Sequence, residues 1–435
     1  MKSIITTGFI IAATLTSCNI IQDRDNSITP NINELQGAMS LFWNDEFNDQ
    51  TLDSTKWSTN YYSTWDFMDQ TNFEEFKANT LPQPSIKYTD STIILYTDKE
   101  NPKEVFWKNS GRKISSIQTY DWLADTSYLP TNFVGGYIEA RLKRFADKDA
   151  KMVNGAFWLD SPGPDLKHYL ENGTQAHGTT GIRPRGQVFE IDLCEYITTE
   201  IVLHGNVDSL GNFERNIGHH IVEGDFNDKW VTHSMLWTPA GLKFYIDGQL
   251  VREWWDPSDI KSPNHFMNFY LGMYGKDGET SMEVDYIRFF TWNLDENNEL
   301  PNGGFEYNTL FPWEGNGVIT QNDTRTGKQA LQLAPGASIS QMIYTNHSKT
   351  YELSLYSKAQ ISGKLVAKVE NITSVTGEAE NITKEQFSIG SEYKAYSLDF
   401  FTNAEYNDHK RTVKIILTNN GTTPIQLDDI VIAQL

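Results

Sequence analysis

The sequence predicts an all-β protein built from two sandwich domains. Beyond residue 40, short runs of alternating apolar and polar residues recur between Gly, Asn, Asp and Pro, whereas helical periodicity is hard to find. The 435 residues suit two or three domains, since a single all-β domain often reaches about 200 to 250 residues. Hydrophobic residues make up 39% and charged residues 21%, a composition that supports folded cores and differs from that of a disordered chain.

Charge and aromatic content restrict the classes of partner. Asp and Glu number 57 against 36 Lys and Arg, giving a net charge of -21, so nucleic acid is not expected as a partner. Aromatic residues reach 13%, with 12 Trp and 20 Tyr. Such a content is typical either of a β-sandwich core or of a surface that stacks on the apolar faces of sugar rings.

The N-terminus has the pattern of a secretion signal. Lys2 precedes an apolar stretch at residues 4–15, which is too short for the roughly 20 residues of a bilayer span but suits a signal peptide. The small residues before Cys18 resemble a bacterial lipoprotein processing site, an ordinary signal with a chance cysteine being the alternative. We therefore expect residues 1–17 to be removed and Cys18 to be lipidated, which predicts a lipid-anchored protein of the bacterial cell envelope. Residues 18–39 are predicted to be a polar tether.

The strand pattern divides the rest of the chain in two. Residues 242–246 and 249–254 form a predicted hairpin, because the intervening Asp247-Gly248 favours the positive φ angles of a two-residue turn. After the apolar run at 284–290, the pattern breaks into a polar segment. We predict a first domain at 40–292, a linker at 293–300 and a second β-sandwich at 301–435.

Residues 188–195, VFEIDLCE, carry the most informative pattern. In an extended strand the apolar side chains at 189, 191 and 193 share one face, and Glu190 and Asp192 share the other. A regular strand would send Glu195 to the apolar face, where an unpaired carboxylate is costly to bury. One extra residue at Leu193 or Cys194, a β-bulge, would return Glu195 to the face of the other two acids.

Three acids in one groove can catalyse glycoside hydrolysis. Like charges so close push their pKa values apart, so that one group stays ionised while another holds a proton. A retaining glycosidase needs such a pair about 5 to 5.5 Å apart. An exposed acidic strand or a calcium site are the alternatives for the bare pattern. The only cysteines are Cys18 and Cys194, so neither a disulfide framework nor a cysteine zinc site is expected.

Residues 190–195, EIDLCE, resemble the catalytic signature of glycoside hydrolase family 16 in its bulged form. The resemblance covers residues 40–292, and its supporting segments follow the family's order: FWNDEF at 42–47 with Leu52, Asp53 and Trp57, then 136–142, AFWL at 156–159, WTP at 237–239, YIDG at 245–248 and VDYIR at 284–288.

The resemblance implies a concanavalin-like β-jelly roll whose concave sheet forms a long cleft. Glu190 corresponds to the nucleophile, Glu195 to the acid/base, and Asp192 to the carboxyl group that orients Glu190; no cofactor is needed for catalysis. Trp158 corresponds to the tryptophan that stacks on the sugar beside the scissile bond, with core packing as the alternative. His204 lies where members often place a histidine near that sugar, with a structural histidine as the alternative.

The sequence departs from the family's glucanases before the first acid. These enzymes usually carry a Trp-Pro stretch and a Gly directly before the first glutamate, whereas this chain has RPRGQVF at 183–189 after a long insertion from Asp160. Residues 141–185 hold eight Lys or Arg against five Asp or Glu. Arg183 and Arg185 could therefore receive sulfate or uronate groups of a substrate, a solvated loop of mixed charge being the alternative.

The ends of the second domain, PNGGFE at 301–306 and LDDI at 427–430, resemble jelly-roll carbohydrate-binding modules. Glu306 and Asp428 stand where such modules commonly hold a structural calcium ion, which prefers oxygen ligands. A purely structural sandwich is the alternative. Four aromatic residues are candidates for stacking on sugar: Trp313, Tyr344, Tyr356 and Tyr393.

Together these features predict a secreted, lipid-anchored, endo-acting retaining β-glycosidase whose substrate is a β-linked polysaccharide. A galactan of agar, porphyran or carrageenan type is favoured over a laminarin-like β-1,3(4)-glucan, and mucin-type O-glycans remain open. A non-catalytic glycan-binding lipoprotein and a structural adhesion protein are the other classes. We expect a monomer that contacts the membrane through its lipid anchor only.

Overall fold

The computed structural model describes residues 27–61, 83–105, 110–121, 124, 126–130, 134–160, 188–207, 213–257, 260–372, 379–403 and 410–435. Cys18, Arg183 and Arg185 lie outside these ranges. Within them the chain forms 26 strands and one short 3-10 turn, Asn33–Leu35. The predicted all-β class with two β-sandwiches is therefore confirmed. The described ranges contain no helix with the length and hydropathy that a membrane crossing requires.

The first sandwich contains two large antiparallel sheets and a small hairpin. Its strands are β1 Met39–Asp45, β2 Ile86–Tyr88, β3 Ile93–Thr97, β4 Lys113–Gln118, β5 Tyr120–Asp121, β6 Thr126–Ser127, β7 Gly136–Ala146, β8 Lys151–Asp160, β9 Val188–Glu195, β10 Glu200–Val207, β11 Phe213–Ile221, β12 Lys229–Thr238, β13 Gly241–Ile246, β14 Gln249–Trp254, β15 Asn268–Lys276 and β16 Thr280–Trp292. The eight-stranded sheet has the order β14-β13-β12-β7-β16-β3-β2, with β1 beside β16. The six-stranded sheet has the order β11-β10-β9-β8-β15-β4.

Alternation along the six-stranded sheet separates the core from the site. Phe157, Ile191 and Leu271 point into the apolar core between the two sheets. Their neighbours Trp158 and Asp192 therefore point to the opposite face, since successive side chains in a strand alternate. This second face carries the chemistry described below.

The predicted β13–β14 hairpin is present. Ile246 pairs with Gln249, and the two residues between them, Asp247 and Gly248, have φ angles of 47° and 77°. Positive φ at both central positions is what a type I′ turn requires. The Asp-Gly signal therefore predicted both the location and the register of the turn.

The second half of the predicted tether is packed onto the first sandwich. Ile32 and Leu35 are 7% and 1% exposed and join a small apolar cluster with Tyr137 on the outer side of the eight-stranded sheet. The backbone N–H of Asn31 donates to Glu139 Oε2 at 3.1 Å. The prediction of a free polar tether is therefore wrong from about residue 30 onward, because Ile32 and Leu35 bury apolar surface that the polar composition of the segment concealed.

The second sandwich has its own core. Its strands are β17 Glu314–Gly315, β18 Val318–Thr320, β19 Ala330–Leu333, β20 Ser338–Thr345, β21 Lys349–Ala359, β22 Gly363–Ile372, β23 Ala379–Ile389, β24 Lys394–Thr402, β25 Arg411–Asn419 and β26 Ile425–Gln434. They form two five-stranded sheets, β17-β20-β25-β22-β23 and β18-β19-β26-β21-β24. Leu353, Val369 and Ile415 are among the fully buried residues between these sheets.

The two sandwiches contact each other through buried polar and aromatic groups. The hydroxyl of Tyr344 on β20 donates to Pro263 O at 2.7 Å and accepts from Trp237 Nε1 at 3.1 Å. Lys410 and Asn264 exchange two hydrogen bonds of 2.6 Å. A cavity of about 300 Å³ lies beside these contacts. Tyr344 is thus an interface residue and is not available to stack on sugar.

Candidate active site

Strand β9 contains the β-bulge that the sequence predicted. On β8, the consecutive residues Phe157 and Trp158 pair with Cys194 and Asp192, so β9 holds one extra residue there, Leu193. The same irregularity appears against β10, where Glu200 pairs with Glu195 and Val202 with Asp192. Leu193 and Cys194 are both buried in the core, at 2% and 0% exposure. Two successive core-facing residues return Glu195 to the face of Glu190 and Asp192.

Glu190 and Asp192 lie deep in this face of the six-stranded sheet. Their exposures are 9% and 2%, while Glu195 is half-buried. Glu190 pairs with Asp160 on β8 and with His204 on β10. One carboxylate oxygen from each of Glu190 and Asp192 and one ring nitrogen of His204 all lie within 4.8 Å of one another. The structure thus brings together the acids and the histidine that the sequence selected.

Burial and neighbouring negative charges raise the pKa values of Asp192 and Glu195. Burial raises the pKa of Asp192 well above its ordinary value, and the charges of Glu195, Glu190 and Asp160 add to this effect. Burial also raises the pKa of Glu195, while a hydrogen bond from Asn154 and the charge of Arg112 act in the opposite direction. A carboxyl group that keeps its proton toward neutral pH can act as a general acid.

Two residues around Glu195 were missed by the sequence analysis. Asn154 Nδ2 donates to Glu195 Oε1 at 2.8 Å, and Asn154 Oδ1 accepts from the backbone N–H of Tyr196 at 2.6 Å. Arg112 lies over the ring of Tyr274 at 4.7 Å and is electrostatically coupled to Glu195. Asn154 could have been found by extending the alternation backward from Trp158. No local sequence signal indicates Arg112, which reaches the site from the position directly before β4.

Trp158 lies beside Asp192 within a group of aromatic side chains. Its ring stacks on Tyr270 with a centroid distance of 5.1 Å and an interplanar angle of 22°. Tyr61 meets it edge-on at 5.9 Å and shares a 3.0 Å hydrogen bond with the hydroxyl of Tyr274. Trp158 is only 4% exposed. It occupies the predicted place in the site, and most of its surface contacts protein.

His204 contacts the central acid directly. Its Nε2 atom lies 3.4 Å from Asp192 Oδ2, and its side chain is 13% exposed. An imidazole at this position supplies positive charge to the acidic group when it is protonated. The structure thus places His204 where it can act on Asp192.

Three members of the basic stretch, all on β7, do not line this face. Arg141 and Lys143 project from the eight-stranded sheet and form ion pairs of 2.5 and 2.7 Å with Asp285 and Glu283. Arg144 is buried in the interior at 2% exposure. Strand alternation therefore directs these three residues away from the acids. The residues predicted to receive anionic groups, Arg183 and Arg185, lie outside the described residues.

Glu306 and Asp428 of the second sandwich bind the same loop. Glu306 Oε1 accepts the backbone N–H groups of Lys328 and Gln329 at 2.8 and 2.9 Å. Asp428 Oδ2 accepts those of Arg325 and Thr326 at 2.8 and 3.2 Å. The two predicted calcium ligands are thus brought to one loop, at residues 325–329.

The aromatic candidates of the second sandwich fall into two classes. Trp313 is 3% exposed in the core, and Tyr344 lies in the domain interface. Tyr356 lies under the guanidinium of Arg325 at 3.4 Å, and Tyr393 lies under Lys358 at 4.9 Å. Only Tyr356 and Tyr393 of these four remain candidates for sugar contact.

Residues 172–288 match the family model described as glycosyl hydrolases family 16. Over this segment the chain is similar to the glycosyl hydrolases of family 16. The predicted resemblance is confirmed, and the matched segment contains the whole of β9 with its three acids. The family 16 match also includes His204, whereas Asn154 and Trp158 precede it.

Solved structures with partial similarity come from enzymes and from binding modules. An endo-β-galactosidase from Clostridium perfringens that releases GlcNAcα1-4Gal is 18% identical, with 71% of this chain and 77% of that chain covered and a TM-score of 0.41. A laminarinase from Flavobacterium sp. UMI-01 is 17% identical, with 58% and 100% covered and a TM-score of 0.36. A family 4 carbohydrate-binding module is 17% identical, with 31% and 98% covered and a TM-score of 0.25. A search of curated proteins found no match.

Proposed function

We propose that this protein is an endo-acting, retaining β-glycosidase that hydrolyses a β-linked polysaccharide. The observation that carries this proposal is the bulged strand β9, which presents Glu190, Asp192 and Glu195 on one face. In a strand whose acids have no function, a bulge that brings a third carboxyl group beside two others would only add electrostatic repulsion. The family 16 match over the same strand supports the same chemistry.

The two glutamates divide the reaction between them. Glu190 attacks the anomeric carbon, and Glu195 donates its proton to the departing glycosidic oxygen, which leaves a covalent glycosyl-enzyme. Glu195 then accepts a proton from water, which attacks the same carbon and releases Glu190. The raised pKa of Glu195 suits its first role. Asp192 lies between the two and orients Glu190.

A galactan is the favoured substrate class. Phe189 occupies the position directly before the first acid, where the family's glucanases usually have Gly, and the Trp-Pro stretch is absent from the preceding sequence. Laminarin-like β-1,3(4)-glucan and mucin-type O-glycans are the alternative substrates. A non-catalytic glycan-binding protein is the alternative outside the enzymes, and the retention of all three acids argues against it.

Lipidation of Cys18 would hold the enzyme at the cell envelope, and we propose that the second sandwich binds glycan there. A calcium ion would stabilise this sandwich through Glu306 and Asp428, and the donor chemistry fits. Both carboxylates bind the 325–329 loop, and in that loop Gln329 Oε1 is buried and accepts no hydrogen bond from the described part of the chain. Oxygen donors of this kind suit Ca²⁺.

The decisive experiment is a polysaccharide panel with proton NMR of the products. We expect a substrate to be cut internally and the new reducing end to appear first as the β-anomer, because two inversions restore the configuration. Glu190→Gln and Glu195→Gln should each abolish hydrolysis and leave the circular dichroism spectrum unchanged. Glu283→Gln is the matched control, since Glu283 lies on β16 of the eight-stranded sheet and pairs with Lys143 at 2.7 Å, away from the acids of β9. An initial α-anomer, or wild-type turnover by either glutamate variant, would contradict the proposal.

A further inference from the structure

A buried arginine connects the two sheets of the first sandwich next to Glu195. Arg144 lies on β7 of the eight-stranded sheet and is 2% exposed. Its guanidinium donates to Gly155 O on β8 at 3.0 Å, and also to Tyr196 O and Thr199 Oγ1 in the turn that follows β9. These three acceptors belong to the six-stranded sheet and its turn. Arg144 therefore crosses the core to hold the end of the catalytic strand.

Burial of this cation is unusual for a sandwich core. Burying a charged group is costly unless every polar atom is satisfied, and a guanidinium remains protonated in nearly all protein settings. The adjacent His233 is kept neutral, because burial and the charge of Arg144 lower its pKa well below the ordinary value. An apolar side chain would fill the same space at lower cost. The hydrogen bonds of Arg144 therefore point to a role in the turn.

The turn after β9 contains residues in an unfavourable backbone conformation. Tyr196 and Thr199 have φ angles of 55° and 64°, in the left-handed region that non-glycine residues seldom occupy. Arg144 bonds to both residues. It also bonds to Gly155, where an added Cβ would approach Arg144 Cδ to 3.0 Å. Arg144 thus holds the direct neighbours of Asn154 and of Glu195.

Asn154 transmits this support to the carboxyl group. Its Oδ1 accepts from Tyr196 N at 2.6 Å, which fixes the amide so that Nδ2 donates to Glu195 Oε1 at 2.8 Å. The sequence of contacts runs from Arg144 through Tyr196 to Asn154 and ends at Glu195. A donor aimed at a carboxylate stabilises its ionised form. Asn154 therefore opposes the effect of burial on the residue that must both give and take a proton.

We propose that Asn154 and Arg144 are positioning residues for the acid/base: Asn154 orients the Glu195 carboxyl group, and Arg144 holds Asn154 and the turn in place. This inference rests on the proposed function, in which Glu195 donates and then accepts a proton. It assigns to the buried arginine a purpose that core packing does not require.

The first test is Asn154→Ala. We expect kcat/KM on the polysaccharide to fall about 10- to 100-fold, the effect of one hydrogen bond to a charged group, and the alkaline limb of its pH profile to move to higher pH. On an aryl glycoside of the product, whose phenol leaves without protonation, kcat/KM should fall by less than about threefold. Asn268→Ala is the matched control, because Asn268 also lies on the six-stranded sheet, is 4% exposed and bonds to Thr119 and Ser127. It should leave the alkaline limb unmoved.

The second test is Arg144→Met, which should move the alkaline limb in the same direction and lower the melting temperature. If Arg144→Met does not fold, Thr199→Val takes its place in the test, because it removes one hydrogen-bond acceptor of Arg144. A carbon-13 titration of the Glu195 carboxyl group in Asn154→Ala does not depend on turnover, so it decides the inference even if the wild type cleaves no glycan. An unchanged Glu195 titration, or equal losses on both substrates with an unmoved alkaline limb, would overturn the proposal.

Discussion

Replacing Asp192 by Asn is expected to stabilise the folded protein at neutral pH while lowering its activity. The Asp192 carboxyl group is 2% exposed, and its pKa is raised by burial and by the charges of Glu195, Glu190 and Asp160. Asn keeps the size of the side chain and removes the charge. In the proposed mechanism Asp192 orients Glu190, so we expect the substitution to lower activity roughly 10- to 100-fold, as for the loss of a hydrogen bond to a charged group.

The direction of the pH effect follows from proton linkage. The pKa of Asp192 in the folded state lies above that in the unfolded chain, about 3.9, so the folded protein binds this proton more tightly. Ionisation of Asp192 therefore opposes folding. The resulting loss of folding free energy is absent below about pH 4, grows as the pH rises toward the pKa of the folded state, and is constant above that pKa. Asn at this position avoids the penalty. A stabilising substitution of this kind contributes about 1 to 2 kcal/mol, or roughly 2 to 8 °C in melting temperature for a domain of this size.

Thermal unfolding at about pH 8 and about pH 4 tests this reasoning. We expect Asp192→Asn to melt above the wild type at pH 8 and close to it at pH 4. Asp45→Asn is the matched control, because Asp45 is also buried but accepts from Trp57 Nε1 at 2.7 Å and from Phe47 N at 2.9 Å. The Asp45→Asn variant should lose about 1 to 3 kcal/mol of folding free energy, because these hydrogen bonds are weakened. A lower melting temperature for Asp192→Asn at pH 8, or an equal gain at both pH values, would refute the electrostatic account of the site.

Three further predictions address the anchor, the substrate and the second sandwich. Cys18→Ala should shift the protein from the membrane fraction to the soluble fraction on cell fractionation, and wild-type levels in the membrane would contradict lipidation. Arg183→Ala with Arg185→Ala should reduce kcat/KM on an anionic polysaccharide several-fold to about thirty-fold, at about 1 kcal/mol or less for each charge, with a smaller loss at high salt; an equal loss on a neutral polysaccharide would show that these arginines are only solvated surface. Calcium should raise the melting temperature of the second sandwich in the wild type but not in Glu306→Gln or Asp428→Asn, and the same rise in these variants would place the ion elsewhere.

Strand β9 was predictable because all of its information is local. Alternation assigns the face of Glu190 and Asp192, and the cost of burying an unpaired Glu195 requires the bulge. The Asp247-Gly248 turn is local in the same sense, since two residues determine the turn type and hence the register. In both cases one short segment and one physical rule are enough.

The missed features depend on contacts between distant segments. Arg112, directly before β4, acts on Glu195 from a distant segment. Ile32 and Leu35 are buried only because the outer side of the eight-stranded sheet offers them an apolar surface. A count of charges along residues 141–185 does not show where the side chains point. Arg141, Lys143 and Arg144 lie on two sides of one strand and face different surroundings.

The position of Arg144 follows from the cost of the acidic cluster. Glu190 and Asp192 are buried beside each other on β9, so their repulsion disfavours the very strand geometry that catalysis needs. The turn after β9 also holds Tyr196 and Thr199 in the left-handed region, which disfavours that geometry further. Local interactions on β9 do not offset both costs, so the support must come from elsewhere in the fold. The eight-stranded sheet supplies it through Arg144, whose charge stays on the core side of the catalytic strand and whose guanidinium donates to the carbonyl groups of Gly155 on β8 and of Tyr196 in the turn.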